Sequence, residues 1–263
     1  MRVGIIGATG WLGSALGRGL LAQGLVTAPD LMVSNRSGPR ADYYGHAVRW
    51  ARDTEELVDF ADVVVLSLRP EDWPALNLRA EGKLVLSFMA GVDSATLARS
   101  AGRIVRAMPN AAAEIGASYS PFWAAASVTE ADRTAVQRIL SAIGTTDELA
   151  AEGHIDLMTA VPGSGAAYPA LMAVAMSNFL RQRGVDEDIA WRATEAAVCG
   201  GAAMLAGQVT RVPRLLAAYH DYRGTTDAGL LVAEAAGFTT SLAQALSAAT
   251  EKAYQMTTAS AGL

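Results

Sequence analysis

The sequence predicts an α/β fold, with a doubly wound parallel sheet in residues 1–152 and an all-helical domain in residues 153–263. Three observations carry this prediction. Residues 2–14 read as strand, glycine turn and helix. Short apolar runs then alternate with helical windows up to about residue 150. Beyond Asp156 only alanine-rich helical periodicity remains. Repetition of β and α segments implies a parallel sheet with right-handed crossovers.

The first strand holds Val3, Ile5 and Ile6 and runs into Gly7, Gly10 and Gly13, after which Ala15–Leu21 reads as a helix. Glycines let backbone N–H groups approach a phosphate, and a helix N-terminus offers partial positive charge. Gly7, Gly10, Trp11, Leu12 and Gly13 are therefore candidates to hold a pyrophosphate. The spacing is GxxGxxG rather than GxGxxG, so alone it supports a nucleotide site and nothing finer. A secretory leader also opens on a basic residue and an apolar run. Here Gly7, Thr9 and Gly10 interrupt the run, and no small-residue cleavage site follows.

Leu31–Ser34 and Ala47–Trp50 read as the second and third strands. Asp62–Leu68 and Lys83–Phe88 are continuous apolar runs, as expected of parallel strands covered on both faces. Arg103–Ala107 is the sixth strand and Thr145–Leu149 a final one. Thr54–Phe60, Ser94–Ser100 and Ala131–Ile143 supply helices between them. The second half predicts helices over roughly 166–183, 187–207, 212–220, 226–236 and 239–257, with Asp186 and Thr239 or Thr240 as N-caps.

Composition narrows the function classes. Hydrophobic residues make up 51% and charged residues 18%, more apolar surface than a small helical bundle hides alone, so subunit burial is expected. A net charge of −5 argues against nucleic acid and anionic membrane as partners. The single Cys199 excludes an internal disulfide and suits a reducing cytoplasm. Val161–Leu180 carries no charge, but Pro162, Gly163, Gly165, Pro169, Ser177 and Asn178 make it a poor lipid-facing span; a helix at a subunit contact fits it better.

The end of the second strand selects a dinucleotide. A carboxylate there binds the ribose of NAD, whereas a basic residue accommodates the 2′-phosphate of NADP. This chain has Ser34-Asn35-Arg36-Ser37, without a carboxylate. An ordinary polar turn would also look like this; the guanidinium beside two hydroxyls favours NADP. Leu68-Arg69-Pro70, Ala90-Gly91 and Met108-Pro109-Asn110 follow later strands, at the sheet edge where ligands bind, though each alone is a routine turn.

In the helical half, Gly163-Ser164-Gly165 and Arg223-Gly224-Thr225-Thr226 each lead into a helix, so each is either a capped start or a carboxylate site. What is missing matters too. The chain has two lysines, Lys83 and Lys252. No tyrosine is followed four positions later by lysine, and no lysine lies on the helix after Gly165 to act as a proton donor. Carbonyl reduction is disfavoured on both counts. His46, His154 and His220 are far apart in sequence and suggest no metal site. An imine suits such a site, because a protonated C=N bond already carries its proton and charge.

At this point the sequence resembles the pyrroline-5-carboxylate reductase family over nearly its whole length. Ala61–Pro70 looks like that family's segment ending in Lys-Pro, Leu84–Val92 like its strand ending in Ala-Gly-Val, and Met108-Pro109-Asn110 like its Met-Pro-Asn. Asp156–Tyr168 is similar to its Asp-x-x-Thr-Ala-x-Ser-Gly-Ser-Gly-Pro-Ala-Tyr, and Gly224-Thr225-Thr226 with Gly229-Leu230 follows its Gly-Gly-Thr-Thr-x-x-Gly-Leu. The departures are local. The nucleotide loop has one residue more than Gly-x-Gly-Asn-Met. Ala111-Ala112 replaces Thr-Pro, Pro162 a serine and Ala166 a proline. Asp221-Tyr222-Arg223 replaces Ser-Pro-Gly within the substrate loop.

The resemblance implies a Rossmann-type sheet domain, a helical dimerisation domain, NADPH or NADH, reduction of a cyclic imino acid, and interlocked dimers that sometimes form decamers. It implies that the loop matching 221–226 binds the substrate carboxylate and that Thr226 lies near the ring nitrogen. The reading reached is an NADPH-dependent reductase of a carboxylate-bearing cyclic imine, acting as a homodimer or higher oligomer. Asn35 and Arg36 with Ser34 and Ser37 hold the 2′-phosphate, and Leu68, Arg69, Pro70, Ala90 and Asn110 border the cofactor. Ser164, Gly224, Thr225 and Thr226 cradle the substrate, with Thr226 or a water it orients handling the proton. Arg223 and Tyr222 set specificity. The rival expectations are a non-catalytic NADP-binding protein and a reductase drawing hydride from a deazaflavin.

Overall fold

The computed structural model describes the backbone of residues 1–261 and the side chains of residues 1–256. By internal packing it forms two compact units: Met1–Gly165 with the chain from Ala248 onward, and Ala166–Ser247.

In the first unit, β1 (Val3–Ile6) leads into α1 (Trp11–Ala22), followed by β2 (Leu31–Ser34), β3 (Arg49–Trp50), α2 (Thr54–Phe60), β4 (Val63–Leu66) and β5 (Leu84–Ser87). Then come α3 (Ser94–Leu97), β6 (Arg103–Ala107), β7 (Ser118–Tyr119), β8 (Phe122–Ala124), α4 (Glu130–Ser141), β9 (Gly144–Thr145) and α5 (His154–Met158). The main sheet runs β3-β2-β1-β4-β5-β6-β8, parallel except for the antiparallel β6–β8 pair. This is the doubly wound arrangement. Its strand order reverses between β1 and β4, and ligands bind outside the carboxyl ends at such a switch point. Val3 pairs with Leu31 on one side and Val63 on the other, which brings the ends of β1, β2 and β4 to one level.

The continuous apolar runs have the anticipated cause. Along β4, Val63 and Val65 enter one buried cluster and Val64 and Leu66 enter the other, so the strand is covered on both faces. Two elements were not foreseen: β7 and β8 are two and three residues long, too short for an alternating pattern to register. The run Thr145–Leu149 is not one strand of the main sheet. Gly144–Thr145 pairs with β7 in a separate two-stranded ladder, and further on Leu149 N–H donates to Phe122 O beside β8. The third strand shrinks from Ala47–Trp50 to Arg49–Trp50.

A buried ionic cluster fixes the passage from sheet to helices. Arg106 on β6 is 2% exposed and meets Glu152 at 2.9 Å and Asp156 of α5 at 3.5 Å. Glu152 also accepts from the backbone N–H and hydroxyl of Ser94. Burial pushes the Asp156 carboxyl above its ordinary value, an effect the nearby Arg106 opposes. Losing one partner of such a cluster would leave an uncompensated buried charge.

In the second unit, α6 (Ala167–Arg181), α7 (Glu187–Glu195), α8 (Gly201–Leu205), α9 (Val212–Tyr222) and α10 (Thr225–Ala235) follow one another, and α11 (Phe238–Ala261) begins here. Asp186 caps α7 through the N–H groups of Asp188 and Ile189. The single helix expected over 187–207 opens into a π turn at Ala196–Gly200, where Gly200 and Gly201 have no side chains to resist widening. Thr239 and Thr240 lie inside α11 rather than capping it, since Gly237 with φ +82° ends the preceding helix and turns the chain. Large apolar residues stay exposed on these helices, among them Leu171, Phe179, Leu231, Val232 and Phe238. By length and composition His154–Arg181 could cross a membrane, yet it contains a π turn at Thr159–Gly163 with Pro162 inside.

Helix α4 opens with a capping box between Thr129 and Asp132, and Asp132 also takes two bonds from Arg103 at 2.7 and 2.8 Å. The Arg103 guanidinium, with the Thr129 hydrogen bonds, holds the Asp132 carboxyl at about 2, below the ordinary 3.8. A depressed carboxylate adds stability above its unfolded value and loses it as pH falls toward the folded one. Asp132→Ala should therefore cost about 1–2 kcal/mol at neutral pH. In urea unfolding, the gap to the parent should narrow between about pH 4 and pH 2.

Candidate active site

The glycine turn after β1 is shaped by backbone contacts that side chains would forbid. Gly7 sits at φ +85°, and a β-carbon there would collide with the carbonyl oxygen of Ser67 at the end of β4. A β-carbon on Gly13 would collide in turn with the carbonyl of Gly7. The N–H groups of Gly7 and Ala8 both donate to Ser34 O, tying the turn to the end of β2. Gly10 then caps α1 with no side-chain hydrogen bond, and no acidic residue lies in the first turn. The helix thus presents uncapped N–H groups and unopposed partial positive charge.

A cleft of about 1060 Å³ opens over these strand ends. Of the candidate residues it brings together Gly7, Gly10, Ser34, Asn35, Arg36 and Ser37, with Leu68 and Arg69 on the β4 side. Asn35 donates from Nδ2 to Thr9 Oγ1 at 2.9 Å, while its Oδ1 is buried without a partner. Arg36 is 83% exposed and pairs with Asp72 at 3.3 Å across the rim. Thr9, Asp53 and Asp72 also line the cleft and were not singled out from sequence, because nothing in their spacing marks them.

Other candidates lie apart from this lining. Trp11 begins α1 and is 63% exposed; Leu12 packs toward the sheet core, and the role of Gly13 is the close contact with Gly7. Pro70 opens a short 3₁₀ turn, and Ala90 follows the end of β5. The Asn110 side chain caps its own 3₁₀ turn, accepting from Ala112 N–H at 3.0 Å. Its amide oxygen is therefore engaged locally rather than directed outward. Ser164 Oγ donates to Thr159 O at 3.0 Å and closes the π turn.

The second unit holds the other glycine-bearing turn. Helix α9 ends at Arg223, which takes the left-handed conformation at φ +52°, and Gly224 in extended backbone opens α10 without a side-chain cap. A left-handed arginine costs about 1 kcal/mol relative to glycine. Thr225 and Thr226 are the first helical residues. Tyr222 is 83% exposed, with its ring lying against Gly224. His220 Nδ1 stands 2.8 Å from Asp227 Oδ1, and that hydrogen bond raises the imidazole's basicity, with Glu234 adding to it. This pair was not anticipated, because its only sequence signal is a seven-residue spacing across a turn.

Comparison with known proteins defines the class. Residues 152–256 match the family described as pyrroline-5-carboxylate reductase dimerisation, and residues 2–91 match NADP oxidoreductase, coenzyme F420-dependent. The fold and its nucleotide-type cleft are those of an oxidoreductase built from these two parts. More particularly, pyrroline-5-carboxylate reductase of Pseudomonas aeruginosa is 32% identical over 97% of this chain and 96% of its own length. The chain belongs to the pyrroline-5-carboxylate reductase family. Among solved structures, the enzyme of Coxiella burnetii is 26% identical with a TM-score of 0.84, covering 97% of this chain and 98% of that one. The Plasmodium falciparum enzyme with NADP bound also has a TM-score of 0.84, at 23% identity and 98% coverage of both chains, and shows the shared fold.

Proposed function

We propose that this chain reduces a cyclic imino acid with NADPH, pyrroline-5-carboxylate to proline being the first substrate to test. The observation that carries the reading is one chain holding both a glycine cradle with a carboxylate-free β2 end and the uncapped Gly224-Thr225-Thr226 turn. Whole-length kinship to pyrroline-5-carboxylate reductases supports it.

The cleft residues fit an NADP-type dinucleotide. Gly7 and Gly10 leave room for a pyrophosphate against the backbone, and the start of α1 supplies N–H groups without a competing acid. The orphaned Asn35 Oδ1 offers an acceptor to a ribose hydroxyl. Arg36, with Ser34 and Ser37, takes the 2′-phosphate, which replaces Asp72 as the guanidinium's partner. The bound nicotinamide supplies a hydride. The protein's own part is to hold a protonated imine still and keep its carboxylate in place. The N–H groups opening α10 and the hydroxyls of Thr225 and Thr226 receive that carboxylate; Thr226 or a water it orients exchanges the amine proton. Ser164 retains acceptor capacity, because its single proton is committed to Thr159 O.

A second reading has one observation in its favour: the matched family over residues 2–91 is named for coenzyme F420, a deazaflavin hydride carrier. Assembly as a homodimer is the further part of the proposal. Exposed Leu171, Phe179, Val232 and Phe238 on the second unit need cover, and the matched dimerisation family supplies the kind of partner, a second copy of this chain. Burial in such an interface accounts for the uncharged stretch Val161–Leu180 without a lipid contact, and a reducing cytoplasm suits the exposed thiol of Cys199.

Purified protein with NADPH and a panel of cyclic imines, followed at the nicotinamide absorbance, should show turnover of a carboxylate-bearing ring. Turnover only with a reduced deazaflavin would favour the second reading, and none with either would leave a dinucleotide-binding protein. Arg36→Ala should weaken NADPH about tenfold or more while changing NADH less than about twofold; equal losses would remove the phosphate role. Light scattering should give twice the chain mass or a multiple of it. Phe179→Glu should shift that mass toward the monomer.

A further inference from the structure

We propose that His220 is a positioning residue that neutralises Asp227 and so sets how tightly the Gly224–Thr226 turn holds the substrate carboxylate. The inference rests on the reading above, in which that turn takes a carboxylate.

The difficulty it resolves is electrostatic. With Gly224 as N-cap, Asp227 is the third helical residue of α10 and the only acid in its first turn. A carboxylate there suits an ordinary helix, because it satisfies the positive end. It is a handicap where the same N–H groups must receive an anion from outside, since like charges repel at that range. Something must cancel it.

The structure places one cation to do so. His220, in the last turn of α9, reaches back over the turn and sets Nδ1 2.8 Å from Asp227 Oδ1. Its Nε2 faces Glu234 Oε1 at 3.5 Å, two turns further along α10. With a carboxylate opposite each ring nitrogen, the ring is placed to donate from both, which only the imidazolium does. Residues 220, 227 and 234 thus staple together the two helices that flank the turn. The hydrogen bond to Asp227 raises the imidazole's basicity, partial desolvation opposes this, and Glu234 reinforces it. The charged groups acting on the ring are thus Asp227 and Glu234, both from α10. Among the described residues Arg214, Asp221 and Arg223, on the ring's own side of the turn, form no ion pair with it.

The consequence is a pH-dependent KM. While His220 is protonated, Asp227 is paired and the N–H groups are free for the substrate. As pH rises through the raised imidazole value the ring loses its charge, the Asp227 charge stands uncompensated, and the substrate carboxylate binds less tightly. The kcat, set at the ring nitrogen and hydride donor, should move little.

The test is steady-state kinetics of the full chain, its His220→Gln and Asp227→Asn variants and the double variant, from pH 6 to pH 9. Two substrates are compared: a cyclic imino acid, and the same ring without its carboxylate. His220→Gln should raise KM for the acid about tenfold at pH 6, leaving kcat within about twofold. NADPH affinity and KM for the carboxylate-free ring should stay put. Adding Asp227→Asn should restore the KM, and Asp227→Asn alone should abolish its rise with pH. Parallel changes for both substrates, no rescue in the double variant, or an unaltered pH profile in Asp227→Asn would overturn the proposal. That last measurement also decides the case if His220→Gln does not fold. Turnover of neither ring by the parent would overturn the functional reading and this inference with it. Turnover with the acid's KM untouched in every variant would overturn this inference alone.

Discussion

The close approach of Gly7 to the Ser67 carbonyl is the contact on which the first unit's site depends. Strands β1 and β4 are neighbours at the switch point of the sheet, and the chain must leave β1 sharply for α1 to begin over the strand ends. Only a residue without a β-carbon fits there, at φ +85°, and the lack of one at Gly13 lets the helix settle onto that turn. The start of α1 is consequently left without a side-chain cap, and its N-cap residue Gly10 borders the cleft. A packing constraint thus yields a helix start of the kind that suits a phosphate, without any dedicated side chain.

Much of this was legible in the sequence, because its cause is local or periodic. Buried parallel strands must be apolar on both faces, so Val63–Leu66 and Leu84–Ser87 stood out as unbroken runs. The glycine spacing marked the turn, and the missing carboxylate at Ser34–Ser37 marked the β2 end that does line the cleft. Less visible were features set by contacts distant in sequence. Strands β7 and β8 are too short to carry a period. The π turn at Ala196–Gly200 interrupts a helix whose sequence pattern reads as continuous. Asn110 was expected to face a ligand; its amide oxygen caps its own 3₁₀ turn, a local role that the spacing did not reveal. The pairing of His220 with Asp227 needs the α9–α10 turn to be folded before it exists.

At the turn between α9 and α10 a departure from the family pattern coincides with unusual backbone. Arg223 stands where the family resemblance has glycine and keeps the left-handed conformation that glycine would take without penalty. Asp227 adds an acid to the first turn of α10, and His220 answers it from α9. Together these residues set the charge around the Gly224 turn while leaving its backbone path open.

In the proposed reaction the hydride reaching the imine carbon comes directly from NADPH. Mass spectrometry of the product formed with NADPH deuterated at the transferring position of the nicotinamide C4 tests it most directly. One deuterium is expected in the product amine, carried on the former imine carbon. Product formed at full rate without the label would contradict it and would place another hydride carrier between the dinucleotide and the ring.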